Sequence, residues 1–333
     1  MYKLSRQPFR FLKIGLLTSL ACLPTISHAN LSERADIQQF IRTMVSQHKF
    51  DAGKLTGLFK QTIIKPSIIK AITRPAEKKE WYDYRPIFIT QSRIDGGVEF
   101  WKKHRETLAK AEQKYGVPAE IIIAIIGVET RYGRHAGKYR VMDSLATLAF
   151  EYPKRSKFFR SELEQYLLMT REEGVDPMSL LGSYAGAMGQ PQFISSSYRR
   201  YAIDFNADGK RDIWNNTADA IGSVANYLSV HGWKKGAAIT TQLTLNKAPA
   251  KGLLNKSLKP YTKVADLRQQ GISIPNGLSN TEQATLMALK AKQGNEYWLG
   301  LKNFYVITRY NHSALYAMAV YQLSQAIKKQ SNA

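Results

Sequence analysis

Apolar residues recur along most of the chain with the period of an α-helix. One stripe at spacings of three and four residues predicts a helix that ends at Gly116, and it consists of Trp101, His104, Leu108, Ala111 and Tyr115. Pro118 then suits the first turn of another helix, which continues through an apolar run to Glu129 and ends by Gly133. Because apolar residues cover every face of this second helix, we expect it to be buried.

Two more helices are predicted in the second half of the chain. Thr217 can cap a helix that ends at Gly232. Ser313 can cap the final helix, and Lys328 and Lys329 lie at its negative end, where cations are favourable.

Residues 234–302 have a different pattern. Residues 284–290 and 297–301 predict a β-hairpin with its turn at residues 293–295, whereas the Lys, Gly and Pro scattered over 247–276 predict loops. A further strand is predicted from alternating residues, namely Ile239, Thr241, Leu243 and Leu245. The predicted fold class is therefore mainly α, with additional helices around a core and a small strand-containing subdomain.

The composition is that of a globular protein with an excess of positive charge. The 333 residues are 44% hydrophobic and 22% charged, which excludes disorder as the general state. Lys and Arg number 48 against 26 Asp and Glu, so the formal net charge is +22. Such an excess indicates an anionic partner: a nucleic acid, an acidic membrane surface or another acidic polymer.

The first 29 residues have the layout of an export signal. They contain four Lys and Arg residues and no acidic one, followed by an apolar stretch at 14–23 and the small-residue end Ser27-His28-Ala29. We therefore predict a signal peptide over 1–29, with cleavage before Asn30. The apolar stretch is too short to span a bilayer. Export also argues against a nucleic acid as the partner.

Cys22 is the single cysteine, so an intramolecular disulfide is impossible. Leu20-Ala21-Cys22 is a partial lipoprotein signal, although Ser19 stands where such signals usually carry Leu. Two locations therefore stay open. One is a soluble periplasmic protein after cleavage following Ala29, and the other is an outer-membrane lipoprotein with a lipid anchor on Cys22.

Glu129 is a carboxyl group in an unfavourable place for a charge. It lies in the last turn of the buried helix, where burial and the negative end of the helix dipole both penalise the ionised form. Both effects raise its pKa, so the side chain could act as a general acid near neutral pH. The alternative interpretation is structural: Glu129 pairs with Arg131, Arg134 or another cation and fixes the packing of the helix.

Four motifs occur in one order along the chain. The first is Glu129-Thr130-Arg131-Tyr132-Gly133, and the second comprises residues 183–193. Residues 220–228 follow an acidic loop, and residues 303–311 lead into Tyr316. Together these motifs resemble those of the lytic murein transglycosylase B family, whose members have a lysozyme-like core. One departure is Ile194-Ser195, where family members often carry Met-Pro.

The resemblance implies cleavage of the β-1,4 bond between N-acetylmuramic acid and N-acetylglucosamine in peptidoglycan. The muramyl C6 hydroxyl would close on C1 and form a 1,6-anhydro ring. Glu129 would be the catalytic residue, acting first as acid and then as base, and the chemistry would require no cofactor. An ordinary glycosidase needs two carboxyl groups, and the motifs contain no obvious second acid.

The resemblance also implies a set of substrate-binding residues: Tyr84, Ser183, Gln192, Tyr227, Tyr310, Asn311 and Tyr316. Ser183 and Gln192 can hydrogen-bond the acetamido groups of the sugars. The tyrosines can stack on sugar faces, and Asn311 can donate to a substituent. For any one tyrosine taken alone, an ordinary core or surface aromatic is the simpler interpretation.

An acidic loop has the spacing of calcium ligands. Residues 204–212 fit the start of an EF-hand loop, with oxygen ligands at alternate positions and Gly209 at the sharp turn. The twelfth position is Asn215 instead of Glu, and in the resembled family a later Asp closes the site. The predicted ligands of a weakly bound structural calcium ion are Asp204, Asn206, Asp208, Lys210 through its carbonyl, Asp212 and Asp219. The alternative is an Asp- and Asn-rich turn that binds no metal.

These patterns predict a division of the chain into a signal peptide (1–29), an N-terminal helical region (30–116), a lysozyme-like catalytic core (117–233), a strand-containing subdomain (234–302) and a C-terminal helical segment (303–333) that completes the groove. Peptidoglycan strands are the expected substrate, with wall-synthesis or wall-remodelling proteins as candidate partners and no nucleic acid. Two alternatives stay open: a muramidase that hydrolyses the same bond with water, and a non-catalytic scaffold that binds the cell wall.

Overall fold

A computed structural model describes residues 31–74, 79–245, 249 and 252–332. The predicted signal peptide, including Cys22, lies outside the described residues. Helices dominate the part of the chain that is described, which confirms the predicted fold class. None of these helices is both long and apolar enough to cross a membrane.

Six helices precede the central one. They are α1 (Ala35–His48), α2 (Ala52–Gln61), α3 (Pro66–Ile72), α4 (Trp81–Phe88), α5 (Gln91–Lys103) and α6 (Arg105–Tyr115). The single helix predicted over the stripe from Trp101 to Tyr115 is wrong, because the chain breaks at His104 (φ −115°) between α5 and α6. The stripe still faces the core at Leu108 and Ala111, since the break leaves the helical spacing of the later residues intact.

The central helix α7 (Ala119–Thr130) is surrounded by other elements, as its apolar sequence predicts. It ends where Arg131 and Tyr132 adopt left-handed conformations, with φ of 50° and 62°. The last helix, α14 (Ala314–Ser331), packs antiparallel against α7. Polar contacts join the two helices at both ends: Tyr316 to Glu129 and Lys328 to Glu120, each at 2.7 Å.

The remaining helices of the core surround this pair: α8 (Val141–Glu151), α9 (Ser156–Glu172), α10 (Ser195–Tyr201), α11 (Thr217–Val230) and α13 (Lys302–Tyr310). Short strands β1 (Tyr139–Arg140) and β2 (Leu181–Gly182) pair beside them. The predicted cap at Thr217 is wrong by one residue, because the Asn216 side chain accepts from the N–H groups of Ala218 and Asp219. The predicted cap of α14 at Ser313 is confirmed.

A four-stranded antiparallel sheet lies between α11 and α13 in the chain. Its strands are β3 (Thr240–Leu243), β4 (Thr262–Lys263), β5 (Gln283–Lys290) and β6 (Asn295–Gly300), in the order β3-β6-β5-β4. The predicted β5–β6 hairpin is confirmed. The loops predicted over 247–276 are wrong at β4 and at α12 (Val264–Gln269), while residues 247, 248, 250 and 251 lie outside the described residues.

The sheet has its own apolar cluster, which includes Val264, Leu267, Leu286 and Leu299 and is separate from the main core. The main core extends from α1 to α14 and contains nearly all of α7. Glu129 therefore projects from a helix whose other residues are all buried, which fixes its position. The predicted division of the chain into regions stays a prediction.

Candidate active site

Glu129 lies in the last turn of α7 and is only partly buried. The Tyr316 hydroxyl donates a hydrogen bond to its Oε1 at 2.7 Å. Neither of the predicted alternative partners forms an ion pair with Glu129 among the described residues: Arg134 lies 3.6 Å from Glu99, and Arg131 is exposed. Burial raises the pKa of Glu129 to about 7, and the hydrogen bond from Tyr316, which favours the ionised form, acts in the opposite direction.

Three of the predicted tyrosines surround this carboxyl group. The rings of Tyr310 and Tyr316 are nearly parallel, with centroids 6.4 Å apart and planes 10° apart. Tyr84, on α4, completes the cluster. Burial raises the pKa of all three phenols, and the charge of Glu129 raises it further, to about 12 for Tyr84. All three therefore remain protonated around Glu129, the one acid among the described residues whose charge acts on them.

The loop at residues 183–193 forms a second part of the site. The Ser183 Oγ accepts from the N–H groups of Ala185 (3.2 Å) and Ala187 (3.0 Å), so this hydroxyl shapes the loop. Gln192 has a left-handed backbone (φ 52°), and its Nε2 donates to the carbonyls of Ala136 and Gly189 at 3.0 and 2.9 Å. These bonds fix the orientation of the Gln192 amide and leave its Oε1 to accept a hydrogen bond from a ligand.

A cavity of about 490 Å³ brings three of the predicted residues together: Gln192, Tyr227 and Tyr310. The hydroxyls of Tyr227 and Tyr310 donate to the carbonyls of Arg309 and Pro191, each at 2.6 Å, and the two ring centroids are 4.8 Å apart. The other predicted catalytic and substrate-binding residues are not among the described residues that line this cavity, namely Glu129, Tyr84, Ser183, Asn311 and Tyr316. Asn311 is exposed at the end of α13, where its carbonyl accepts from Ser313.

Two residues that were not predicted as site residues join the segment around Glu129 to the neighbouring loops. The Thr130 hydroxyl donates to the Gln190 carbonyl at 2.9 Å. Gln190 is buried, its N–H donates to Ile213 and its side chain donates to Thr217. Both lie inside motifs quoted above, but spacing along the chain gives no signal that they meet.

Arg93 was also missed. It is buried, and its guanidinium donates to the carbonyls of Gly127 (3.1 Å) and Ile87 (2.8 Å). The Tyr132 hydroxyl donates back to the Arg93 carbonyl at 2.6 Å. A positive charge is thereby placed at the negative end of α7, on the carbonyl two residues before Glu129, where it is favourable. Nothing in the sequence distinguishes Arg93 from the other basic residues.

The acidic loop gathers three of its predicted ligands. Carboxylate oxygens of Asp204, Asp208 and Asp219 all lie within 4.8 Å of one another. Asp219 is fully buried and accepts from the N–H groups of Phe205 (2.8 Å) and Asp212 (2.9 Å). Burial is the main cause that raises its pKa, and the charge of Asp204 adds to it.

The other three predicted ligands have different surroundings. The Asn206 amide donates to Asp208 at 2.8 Å, and the Asp212 carboxylate accepts from the N–H groups of Trp214 and Asn215. The Lys210 N–H donates to Asp208 at 3.0 Å. Asn206, Lys210 and Asp212 therefore stay predictions as metal ligands.

The whole arrangement can be compared with known proteins. The family model described as "Transglycosylase SLT domain" matches residues 32–325 of this chain. The chain belongs to this family. It is also 44% identical over 308 residues to the membrane-bound lytic murein transglycosylase B of Escherichia coli (strain K12), covering 90% of this chain and 84% of that protein.

Solved structures of the transglycosylase family have the same fold. The soluble lytic transglycosylase SltB1 from Pseudomonas aeruginosa is 50% identical, with a TM-score of 0.85 and coverage of 90% of this chain and 100% of that one. The Escherichia coli lytic transglycosylase Slt35 in complex with calcium is 45% identical, with a TM-score of 0.84 and coverage of 90% and 95%. The predicted family and lysozyme-like fold are thus confirmed.

Proposed function

We infer that this protein is a lytic murein transglycosylase. It cleaves the β-1,4 bond between N-acetylmuramic acid and N-acetylglucosamine in peptidoglycan and leaves 1,6-anhydromuramyl ends. Family membership supports this function, and the observation that carries the mechanism is Glu129, a carboxyl group with a pKa of about 7 beside a phenol. Near neutral pH both of its protonation states are populated, as one residue that serves as acid and base requires.

The proposed reaction uses Glu129 twice. Glu129 donates its proton to the glycosidic oxygen while the bond between that oxygen and muramyl C1 breaks. The C6 hydroxyl then bonds to C1 and returns its proton to the Glu129 carboxylate, so no water is consumed. Because Tyr316 binds Oε1, we expect both proton transfers at Oε2, with the hydrogen bond stabilising the ionised form between them.

Hydrolysis of the same bond is the nearest alternative, and it normally requires a second carboxyl group. Among the residues that the structure describes, Glu129 is the one acid whose charge acts on Tyr84, Tyr310 and Tyr316. A tyrosine cluster around one acid favours the intramolecular route. Burying this carboxyl group costs folding free energy, and a non-catalytic wall-binding scaffold would gain nothing from it.

The hydrogen bonds also refine the proposed roles of the other residues. Tyr227 and Tyr310 use their hydroxyls on the backbone, so we propose that they offer ring faces to the sugars. Gln192 would accept an acetamido N–H at Oε1. Ser183 keeps its own hydroxyl proton for an acetamido carbonyl, and the exposed Asn311 would reach a substituent at the edge of the groove.

We propose that Asp204, Asp208 and Asp219 hold a weakly bound calcium ion, with Asn206, Lys210 and Asp212 completing the ligand set. The donor set fits, because three hard oxygen donors lie within 4.8 Å of one another and one of them is fully buried. A divalent cation would offset their mutual repulsion and stabilise the loop. The ion takes no part in the proposed reaction.

We also propose that the protein acts in the periplasm after export through residues 1–29. The name of the Escherichia coli relative places that protein at a membrane, which supports a location in the cell envelope. Cleavage after Ala29 would give a soluble protein, whereas lipidation of Cys22 would anchor it to the outer membrane. Wall-synthesis or wall-remodelling proteins remain proposed partners.

The decisive experiment is mass spectrometry of the muropeptides that the protein releases from purified sacculi. The Glu129→Gln variant, which keeps the shape of the side chain, is the control. We expect products lighter by one water than ordinary reducing-end muropeptides, and none from the variant. Ordinary reducing ends would instead establish a hydrolase, and binding without release would establish a scaffold.

A further inference from the structure

A second large cavity lies at the opposite end of α13 from the active site. It has a volume of about 520 Å³ and lies between the chain that follows α11, the start of α13 and the edge of the small sheet. Lys234, Lys259 and Lys302 line it, and Glu282 is the one acid among its described lining residues. We call this cavity the lysine pocket.

The walls of the lysine pocket are held in place by buried contacts. Asn303 is fully buried, and its Oδ1 accepts from the Lys234 N–H at 2.8 Å. Its Nδ2 donates to the carbonyls of Lys234 (2.8 Å) and Ala237 (3.0 Å). Lys302 is only partly exposed, and its Nζ lies 5.5 Å from the centroid of the Tyr305 ring. The pocket is therefore part of the packed structure.

The charges of the lysine pocket are poorly compensated by the residues that the structure describes. Lysine ion pairs in the described residues involve Lys65, Lys290 and Lys328, and none of the three lysines of the pocket. Lys302 is also the first residue of α13, where the positive end of the helix dipole disfavours a cation. A bound anion would offset both effects.

The surroundings add to this positive potential. Within 234–302, the residues that the structure describes include nine Lys and Arg and three Asp and Glu. Low-dielectric walls concentrate such a field inside a cavity. Glu282 adds one acceptor, which suits a ligand with N–H groups as well as carboxylates, such as an acidic peptide.

We propose that the lysine pocket binds an acidic peptide carried by the glycan strand that lies in the active site. The proposal rests on the proposed function, because it assigns a part of that same substrate. Lys302 and Tyr310 are eight residues apart on α13, which is about 12 Å along a helix. A peptide of four extended residues spans about 13 Å. A peptide attached to a sugar beside Tyr310 can therefore reach Lys302, which lines the same pocket as Lys234 and Lys259.

A second short stretch of chain also connects the two cavities. His231 lines the cavity that contains Tyr227 and Tyr310, and Lys234 lines the lysine pocket three residues later. The two cavities are thus joined by the end of α11 as well as by α13. Peptide-bearing strands would gain binding energy that peptide-free strands lack, which would make the lysine pocket a specificity determinant.

The test compares two triple variants that remove the same charge. The first is Lys234→Gln/Lys259→Gln/Lys302→Gln. The control is Lys54→Gln/Lys60→Gln/Lys70→Gln, at three exposed positions on α2 and α3. Each protein is assayed on peptide-bearing glycan strands and on the same strands after removal of the peptides.

We expect the pocket variant to raise KM roughly tenfold on peptide-bearing strands, since three partly exposed ion pairs each contribute modestly. KM on peptide-free strands, and both values for the control, should remain those of the unsubstituted protein. Equal losses on both substrates, or no loss on either, would overturn the proposal. If the triple variant fails to fold, Lys259→Gln alone, at an exposed loop position, gives the same comparison with a smaller shift.

A binding measurement separates this proposal from the proposed function. Peptide-bearing and peptide-free glycan fragments are titrated into the Glu129→Gln protein with and without the three pocket substitutions. Loss of the preference for peptide-bearing fragments supports the lysine pocket whatever the chemistry of cleavage. An unchanged preference contradicts it even if the unsubstituted enzyme releases anhydro products.

Discussion

Glu129 and Asp219 are two carboxyl groups whose pKa is raised by burial, yet they occupy opposite ends of their helices. Glu129 lies in the last turn of α7, where the helix dipole disfavours a negative charge, and it receives one hydrogen bond from a phenol. Asp219 lies in the first turn of α11, where the dipole favours the charge, and it accepts from two backbone N–H groups.

The difference shows how position decides what a buried acid does. At the negative end of a helix, with few donors, the carboxyl group holds a proton readily and suits acid–base chemistry. At the positive end, with backbone donors and two more carboxylates nearby, a cation is the natural compensation for the carboxyl group. Four substitutions or changes of condition test this contrast.

The largest effect is expected for Glu129→Gln. An amide can neither give nor take the proton, and general acid–base groups contribute about 10²- to 10⁴-fold each time they act. We therefore expect kcat to fall at least about 10³-fold on purified glycan strands. Circular dichroism should show an unchanged fold. Activity within tenfold of the unsubstituted enzyme would remove Glu129 from the mechanism.

The same substitution should increase stability at high pH. The pKa of Glu129 is raised to about 7 in the folded protein from 4.5, so the folded state binds the proton more tightly than the unfolded state. The tighter binding of the proton stabilises the folded state. This stabilisation is complete below pH 4.5 and is lost as the pH rises through 7.

At pH 8 Glu129→Gln should therefore exceed the unsubstituted protein by about 2–3 kcal/mol in the free energy of unfolding. The difference should be close to zero near pH 4. Denaturant titrations of both proteins at the two pH values measure it. A difference that does not depend on pH would contradict the raised pKa.

Removal of the proposed calcium ion should lower the stability of the protein and leave the proton transfers at Glu129 unchanged. At a free calcium concentration of about 100 times the Kd of the site, binding adds about 2.7 kcal/mol to the free energy of unfolding. A chelator should therefore lower the Tm of the unsubstituted protein by several degrees. Asp219→Asn should start from the lower Tm and not respond to the chelator. An unchanged Tm after chelation of the unsubstituted protein would argue for the metal-free turn.

The smallest expected effect is that of Tyr316→Phe. Its hydroxyl favours the ionised form of Glu129, so its loss should raise the pKa of Glu129 by about one unit. The descending limb of the pH profile of kcat/KM should then move to higher pH. Tyr310→Phe is the matched control, because that hydroxyl donates to Pro191 instead of Glu129. Equal shifts in both variants would contradict the specific role of Tyr316.

Local signals in the sequence predict much of the fold. The apolar run of α7, the cap at Ser313 and the β5–β6 hairpin all depend on neighbouring residues, and the structure confirms them. The break at His104 and the cap at Asn216 were missed, because a continuous stripe and an adjacent Thr each allow more than one boundary.

The site required more than local signals. Motif resemblance selected Glu129 and Tyr316, which are 187 positions apart in the chain, but only the packing of α7 on α14 shows their hydrogen bond. Arg93 and the contact between Thr130 and Gln190 were missed for the same reason. Each depends on tertiary neighbours that spacing along the chain does not record.

The antiparallel pairing of α7 with α14 has a consequence for the order of events during biosynthesis. A growing chain that ends before Ala314 carries Glu129 but lacks Tyr316, and the face of α7 that α14 covers is exposed to water. The lytic site is therefore completed only after α14 has been synthesised. Proteolysis that removes α14 would therefore inactivate the protein although Glu129 is still present.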